Sequence, residues 1–146
     1  MQELIVKNIL RQFRIGKRYN GYDYIVHAIG LAFFDERFMS CVTKVLYITI
    51  AQNYGTSSLC VEKSIRKVIE TIWENDENKI LIEKLFGSTY VHNKPSNKEF
   101  LWLLYEYIDS FNLIGEIFNF TENLCPISQD TCDVYINIVN TLRNMS

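Results

Sequence analysis

Apolar residues recur at three- and four-residue steps through most of the chain, the period of helices with one buried face. The pattern is clearest over residues 43–73, TKVLYITIAQNYGTSSLCVEKSIRKVIETIW, which read as a helix, a short turn and a second helix. Ala51 is small enough to sit where two helices cross. Gly55, four residues on, suits the left-handed conformation that ends the first helix. Thr56, Ser57 and Ser58 offer hydroxyls to cap the second. Val61, Ile65, Val68, Ile69 and Ile72 then form one apolar stripe, opposite a mostly cationic face of Leu59, Lys63, Arg66, Lys67 and Glu70. This order suits a DNA-binding helix-turn-helix, whose second helix keeps its start free to enter a groove. The same order also suits a tight αα-hairpin whose outer face is simply solvated.

The flanking pattern predicts further helices. Leu4, Ile5, Ile9, Leu10 and Phe13 predict one over residues 2–14, ended by Gly16. A basic loop over residues 16–21 follows. Its Lys17 and Arg18 read first as solvated, with phosphate contact as the alternative. Tyr22, Ile25, Val26, Ile29, Ala32 and Phe33 predict a second helix over residues 22–34, broken by Asp35 and Glu36. Beyond the polar break at residues 74–78, KILIEKLF predicts a short helix closed by Gly87. A loop through Pro95 leads to a helix over residues 98–108, capped by Ser96 or Asn97. Leu113, Ile114, Ile117 and Phe118 suggest another turn or two, broken at Cys125 and Pro126. Val134, Ile136, Ile138, Val139 and Leu142 suggest a last helix from about residue 130 to 143. The expected fold is all-α, a compact domain of seven or eight helices containing the helix-turn-helix, with residues 109–146 as a C-terminal helical extension. Leu113, Ile117, Ile138 and Leu142 are expected to be shielded by the domain or by a second subunit.

Several stretches also resemble a known family, the C-terminal effector domain of the sporulation response regulator, stage zero sporulation protein A. They are Gly21-Tyr22-Asp23-Tyr24-Ile25 with Ala28-Ile29, Val42 to Tyr47 with Ile50-Ala51, and Val61 to Arg66 with Ile69, Glu70 and Trp73. Leu85-Phe86-Gly87, Lys94-Pro95-Ser96-Asn97 and Glu99-Phe100 complete the series in the family's order. The resemblance implies a six-helix DNA-binding domain over residues 1–108, which reads a short G/C-containing box in the major groove as tandem dimers. The positions matching the family's contact residues are Cys60, Glu62, Lys63, Arg66 and Lys67. Glu62 and Arg66 are the family's own types, whereas Lys63 replaces an Arg, Lys67 a His and Cys60 an Arg. A cysteine cannot grip guanine O6 and N7 as an arginine does, so a different or relaxed site preference is expected. Ile48 stands where the family has a proline, which alters the expected start of that helix. The resemblance also implies a surface for an RNA polymerase sigma factor around Lys79–Phe86. No receiver domain precedes the first helix within this sequence, so phosphorelay control through one of its aspartates is not expected.

Charge and chemistry narrow the choice further. A chain of 146 residues with 48% apolar residues fits one domain with a sizeable core. The net charge of −2 hides a polarity: residues 1–67 hold ten Lys/Arg against five Asp/Glu, and residues 99–146 hold one against seven. The basic part contains the helix-turn-helix, as a phosphate-binding face requires. Lys44, near the start of the motif's first helix, is an expected phosphate contact, and residues from Ser58 to Lys67 form the expected DNA-reading segment. Cys41, Cys60, Cys125 and Cys132 form no CxxC pair, and His27 and His92 stand alone, so neither metal nor cofactor is expected. No phosphate-binding glycine loop or nucleophile elbow occurs, and a non-enzyme is expected. Charges interrupt every long apolar run and no secretory h-region occurs, so a cytoplasmic protein without membrane contact is expected. Two functions stay open: a transcription regulator binding double-stranded DNA, and an interaction module that dimerises with or antagonises a related regulator. The cationic face favours the first. Cys60, the acidic tail and a pI of about 5.7 favour the second.

Overall fold

The computed structural model describes residues 2–124, with side chains through residue 111, and the apolar stripes before residue 109 turn inward on helices. The described residues form seven α-helices and no strand, an all-α fold. The first helix, α1 (Gln2–Gln12), buries Val6, Ile9 and Leu10. Leu4, expected on that face, is 62% exposed, because the stripe runs through Val6 instead. The helix is closed by Arg14 rather than Gly16. Arg14 takes the left-handed conformation (φ 63°), and the Ile15 N–H donates to the Leu10 carbonyl at 2.9 Å. Phe13 and Ile15 are both buried, so the chain must reverse at the residue between them.

α2 (Asn20–Phe34) begins inside the expected loop and buries Tyr22, Ile25, Val26, Ile29 and Ala32 as its period predicts. At its end the Asp35 carboxylate accepts hydrogen bonds from the guanidinium of Arg37, which lowers the Asp35 pKa. α3 (Arg37–Ser40) is a single turn. One wide π-helical turn, Val42–Leu46, then leads without a break into α4 (Tyr47–Tyr54). The wide turn leaves Thr43, Lys44 and Val45 outside while Val42, Leu46 and Tyr47 all reach the core. α5 (Ser58–Glu74) packs against α2, α4 and the last helix. Its Val61, Ile65, Val68, Ile69 and Ile72 are at most 1% exposed, and they form the centre of the core.

A 3₁₀ turn follows, in which buried Asn78 donates to the Ile72 carbonyl at 2.9 Å. α6 (Lys79–Phe86) comes next. Phe86 stacks between Phe13 and Trp73 (centroids 6.2 and 6.0 Å), and Phe100 meets Trp73 edge-on. The Trp73 indole N–H donates to the Tyr90 carbonyl at 2.7 Å, so this aromatic cluster ties α1, α5 and α6 to α7. α7 (Asn97–Leu124) starts at a Ser96 cap: the Ser96 hydroxyl accepts from the Glu99 N–H at 3.2 Å and lies 3.1 Å from its carboxylate. Leu101, Leu104 and Ile108 bury its inner face. The helix does not end near residue 108 as expected, because no proline occurs from there to Pro126 and Gly115 does not interrupt it. It runs on through Leu124. The expected helix over residues 130–143, with Ile138 and Leu142, lies outside the described residues, as do the side chains of Leu113 and Ile117.

Candidate nucleic-acid interface

The joint between α4 and α5 is made by three residues. Gly55 takes φ 64° and ψ 37°, and its N–H donates to the Ala51 carbonyl. The next amide, that of Thr56, donates to the same carbonyl at 2.9 Å, which closes the helix end in a Schellman pattern. Ser57 then turns extended and caps α5, its hydroxyl accepting from the Cys60 N–H at 3.1 Å. Of the three hydroxyls the sequence offered, Ser57 is therefore the one that caps. Ser58 is the first helical residue and is half-buried. Ala51 is buried where α4 meets α5.

Two further contacts fix how α5 is held. Gly21, in the first turn of α2, lies against its backbone: a Cβ there would sit 2.4 Å from the Ser64 carbonyl oxygen. On the other side, the Asn97 side-chain amide donates to the Glu62 carbonyl at 2.9 Å. Asn97 also hydrogen-bonds the phenol of Tyr47, whose pKa is raised chiefly by burial. Asn97 thus joins the start of α7 to both α4 and α5. His27 braces α2 against α4, its Nε2 lying 3.1 Å from the Asn53 amide and its ring edge-on to Tyr54. This is a structural role for a histidine that the sequence left unassigned.

The outward ridge of α5 carries Leu59, Lys63, Arg66 and Lys67, all exposed. Among the described residues Lys63 and Lys67 have no ion-pair partner, whereas Arg66 is salt-bridged to Glu62 one turn earlier. The two stand four residues apart, the spacing at which opposite charges meet on one helix face. A groove runs along each edge of the ridge. One lies between α5 and the loop before α2, lined by Arg18, Asn20, Cys60, Lys63 and Lys67. Cys60 is half-buried here, close to Tyr24, whose pKa is raised by burial and then by Cys60 and Asp23. The other groove lies between α5, the π turn and the start of α7, lined by Lys44, Glu62, Arg66, Lys94 and Lys98. Of the expected site residues, Cys60, Lys63 and Lys67 line one edge of the ridge, and Lys44, Glu62 and Arg66 line the other. Ser58 alone lines neither groove. Lys94, Lys98 and Arg18 join them from segments distant in sequence.

A family model described as the C terminal of the sporulation initiation factor Spo0A matches residues 6–108. The chain belongs to that family. The match runs from α1 to the middle of α7, so it spans the α4–α5 unit and both grooves. The Spo0A C-terminal family is one of DNA-binding domains in sporulation and transcription regulation, not a family of enzymes. Among the described residues no cluster of three His, Cys, Asp or Glu side chains is arranged to hold a metal ion. No described helix is long and apolar enough to cross a membrane.

Proposed function

We propose that this Spo0A-family domain is a cytoplasmic, sequence-specific DNA-binding regulator that lays α5 in the major groove. The observation that carries the reading is the α5 ridge, where Lys63 and Lys67 have no ion-pair partner among the described residues, beside Arg66 and flanked by cation-lined grooves. A major groove about 12 Å wide admits one helix, and the phosphates of its two strands then run along the helix edges. Arg66, with its planar fork of donors, reads a base edge. Glu62 orients it, and Cys60 and Ser58 lie at the helix start nearest the bases. Lys44, Lys94 and Lys98 serve as point charges for phosphates.

Two variants separate these roles. Arg66→Ala is expected to cost about 1–3 kcal/mol and to relax preference at one base pair. Lys44→Ala is expected to weaken all sequences alike and to lower the salt slope by about one. The reading itself is tested by titrating wild-type protein with duplex DNA at several salt concentrations. Binding whose log Kobs falls linearly with log salt is expected. Absence of association at low ionic strength overturns the reading.

In that event the domain is an interaction module for a related regulator, a reading favoured by Phe34 and Ile80, which are 86% and 82% exposed. Ile80 also supports α6 as the contact for an RNA polymerase sigma factor. Leu85 is buried and Phe86 is committed to the aromatic cluster, so neither is available to a partner. We assign residues 1–108 to the DNA-binding unit and residues 109–146 to an extension for homodimer or heterodimer formation, supported by its apolar spacing and acidic balance.

A further inference from the structure

We propose that Arg18, outside the helix-turn-helix, is a phosphate-binding residue that clamps one DNA strand against the Cys60–Lys63–Lys67 edge of α5. This rests on the DNA-binding reading and extends its interface to the loop before α2. Three observations carry it. First, Arg18 and Asn20 line the same groove as Lys63 and Lys67, across from them. Second, the loop is anchored and not free to swing away. Gly21 is jammed on the Ser64 backbone, Ile15 is buried, and the Tyr19 N–H donates to the Gly16 carbonyl at 3.1 Å. Third, the guanidinium is already held in place without being neutralised. It lies 5.0 Å over the Tyr19 ring and donates to the Tyr19 hydroxyl at 3.3 Å, while no carboxylate among the described residues pairs with it.

An Arg18 guanidinium packed on Tyr19, facing two ammonium groups across a groove with no ion-pair partner among the described residues, attracts an anion. Like charges held together repel one another until such a counter-ion arrives. A phosphodiester backbone supplies that anion along the full edge of a helix seated in the major groove. Among the described residues no acidic side chain lines the groove. Lys17, the neighbouring cation, lies outside that lining and provides an internal control of equal charge.

The test compares Arg18→Ala, Lys17→Ala and Lys63→Ala with wild type on one duplex over a salt series, with thermal melts to verify folding. Arg18→Ala is expected to weaken binding about tenfold and to make the slope of log Kobs against log salt shallower by about one. Lys17→Ala is expected to stay within about twofold of wild type with the slope unchanged. If Arg18→Ala behaves like Lys17→Ala while Lys63→Ala weakens binding, the clamp is overturned and the DNA-binding reading stands. If wild type itself shows no salt-dependent association, both fall together. Tyr19→Phe keeps the ring under the guanidinium and removes the hydroxyl that holds it. A partial loss of affinity with an unchanged salt slope is expected, and a loss equal to that of Arg18→Ala counts against a charge role for Arg18.

Discussion

Reversing the charge of Lys63 and Lys67 together, as Lys63→Glu with Lys67→Glu, is expected to remove nearly all duplex binding and leave the fold intact. Both side chains stand on the exposed ridge of α5 and neither has an ion-pair partner among the described residues. Surface substitutions of this kind change stability by about 0.5 kcal/mol or less, so the melting temperature is expected to stay close to that of wild type. Binding loses two phosphate-facing cations and gains two anions in their place. At about 0.1 M salt a loss of roughly a hundredfold or more is expected, with a salt slope shallower by about two. Anisotropy titrations paired with a thermal melt read both quantities. A double variant that melts like wild type and binds DNA equally well contradicts the placement of α5 in the groove.

The second large effect is on stability. Replacing glycine with alanine inside a helix ordinarily stabilises it, by up to about 1 kcal/mol. Gly21→Ala is expected to do the reverse. Its Cβ would lie 2.4 Å from the Ser64 carbonyl oxygen and 2.7 Å from the Val68 methyl, distances that require α2 and α5 to move apart. The first obstacle is backbone and cannot rotate away. Overpacking of this kind costs about 2–3 kcal/mol, a drop of roughly 6–12 °C in melting temperature for a domain of this size. Because the same contact holds the Arg18 loop beside α5, DNA affinity is expected to fall as well. Gly16→Ala supplies the control, since an added Cβ there meets nothing within 4 Å and the backbone is not left-handed. A Gly21→Ala protein as stable as wild type rules out the close approach.

Helical period and turn chemistry made much of this molecule legible in advance. The α5 stripe was complete because every member falls on one face of a long, strongly amphipathic helix, and Gly55 marked the joint because a left-handed position there suits only glycine well. Where two signals competed, the sequence misled. Gly16 was the natural helix stop, yet burial of Phe13 and Ile15 forces Arg14 into the left-handed conformation. The π turn at Val42–Leu46 has no period of its own to read, since it serves to bring Val42, Leu46 and Tyr47 inward together. At the candidate site, Lys63, Arg66 and Lys67 sit on one helix face, so their spacing alone groups them. Arg18, Lys94 and Lys98 reach α5 only through tertiary packing, which no spacing encodes. The capping role of Ser57 over Ser58 depends on which residue first turns extended, a backbone detail beneath the resolution of pattern.

The Glu62–Arg66 pair has a thermodynamic consequence for the proposed complex. A free arginine side chain surrenders up to about 2 kcal/mol of rotamer entropy when a base edge immobilises it. In the unbound domain Glu62 has already narrowed that freedom, and both residues rise from consecutive turns of a helix whose backbone Asn97 grips at Glu62 itself. Part of the ordering penalty is therefore met during folding, before any DNA is encountered. The same pairing makes recognition an exchange. In the proposed complex Arg66 leaves or shares an exposed carboxylate for a base edge, so a wrong base competes with a pair worth about 0.3–0.5 kcal/mol. Discrimination at that position then reflects the difference between two occupied states of one guanidinium, with the carboxylate setting the threshold a cognate base must exceed.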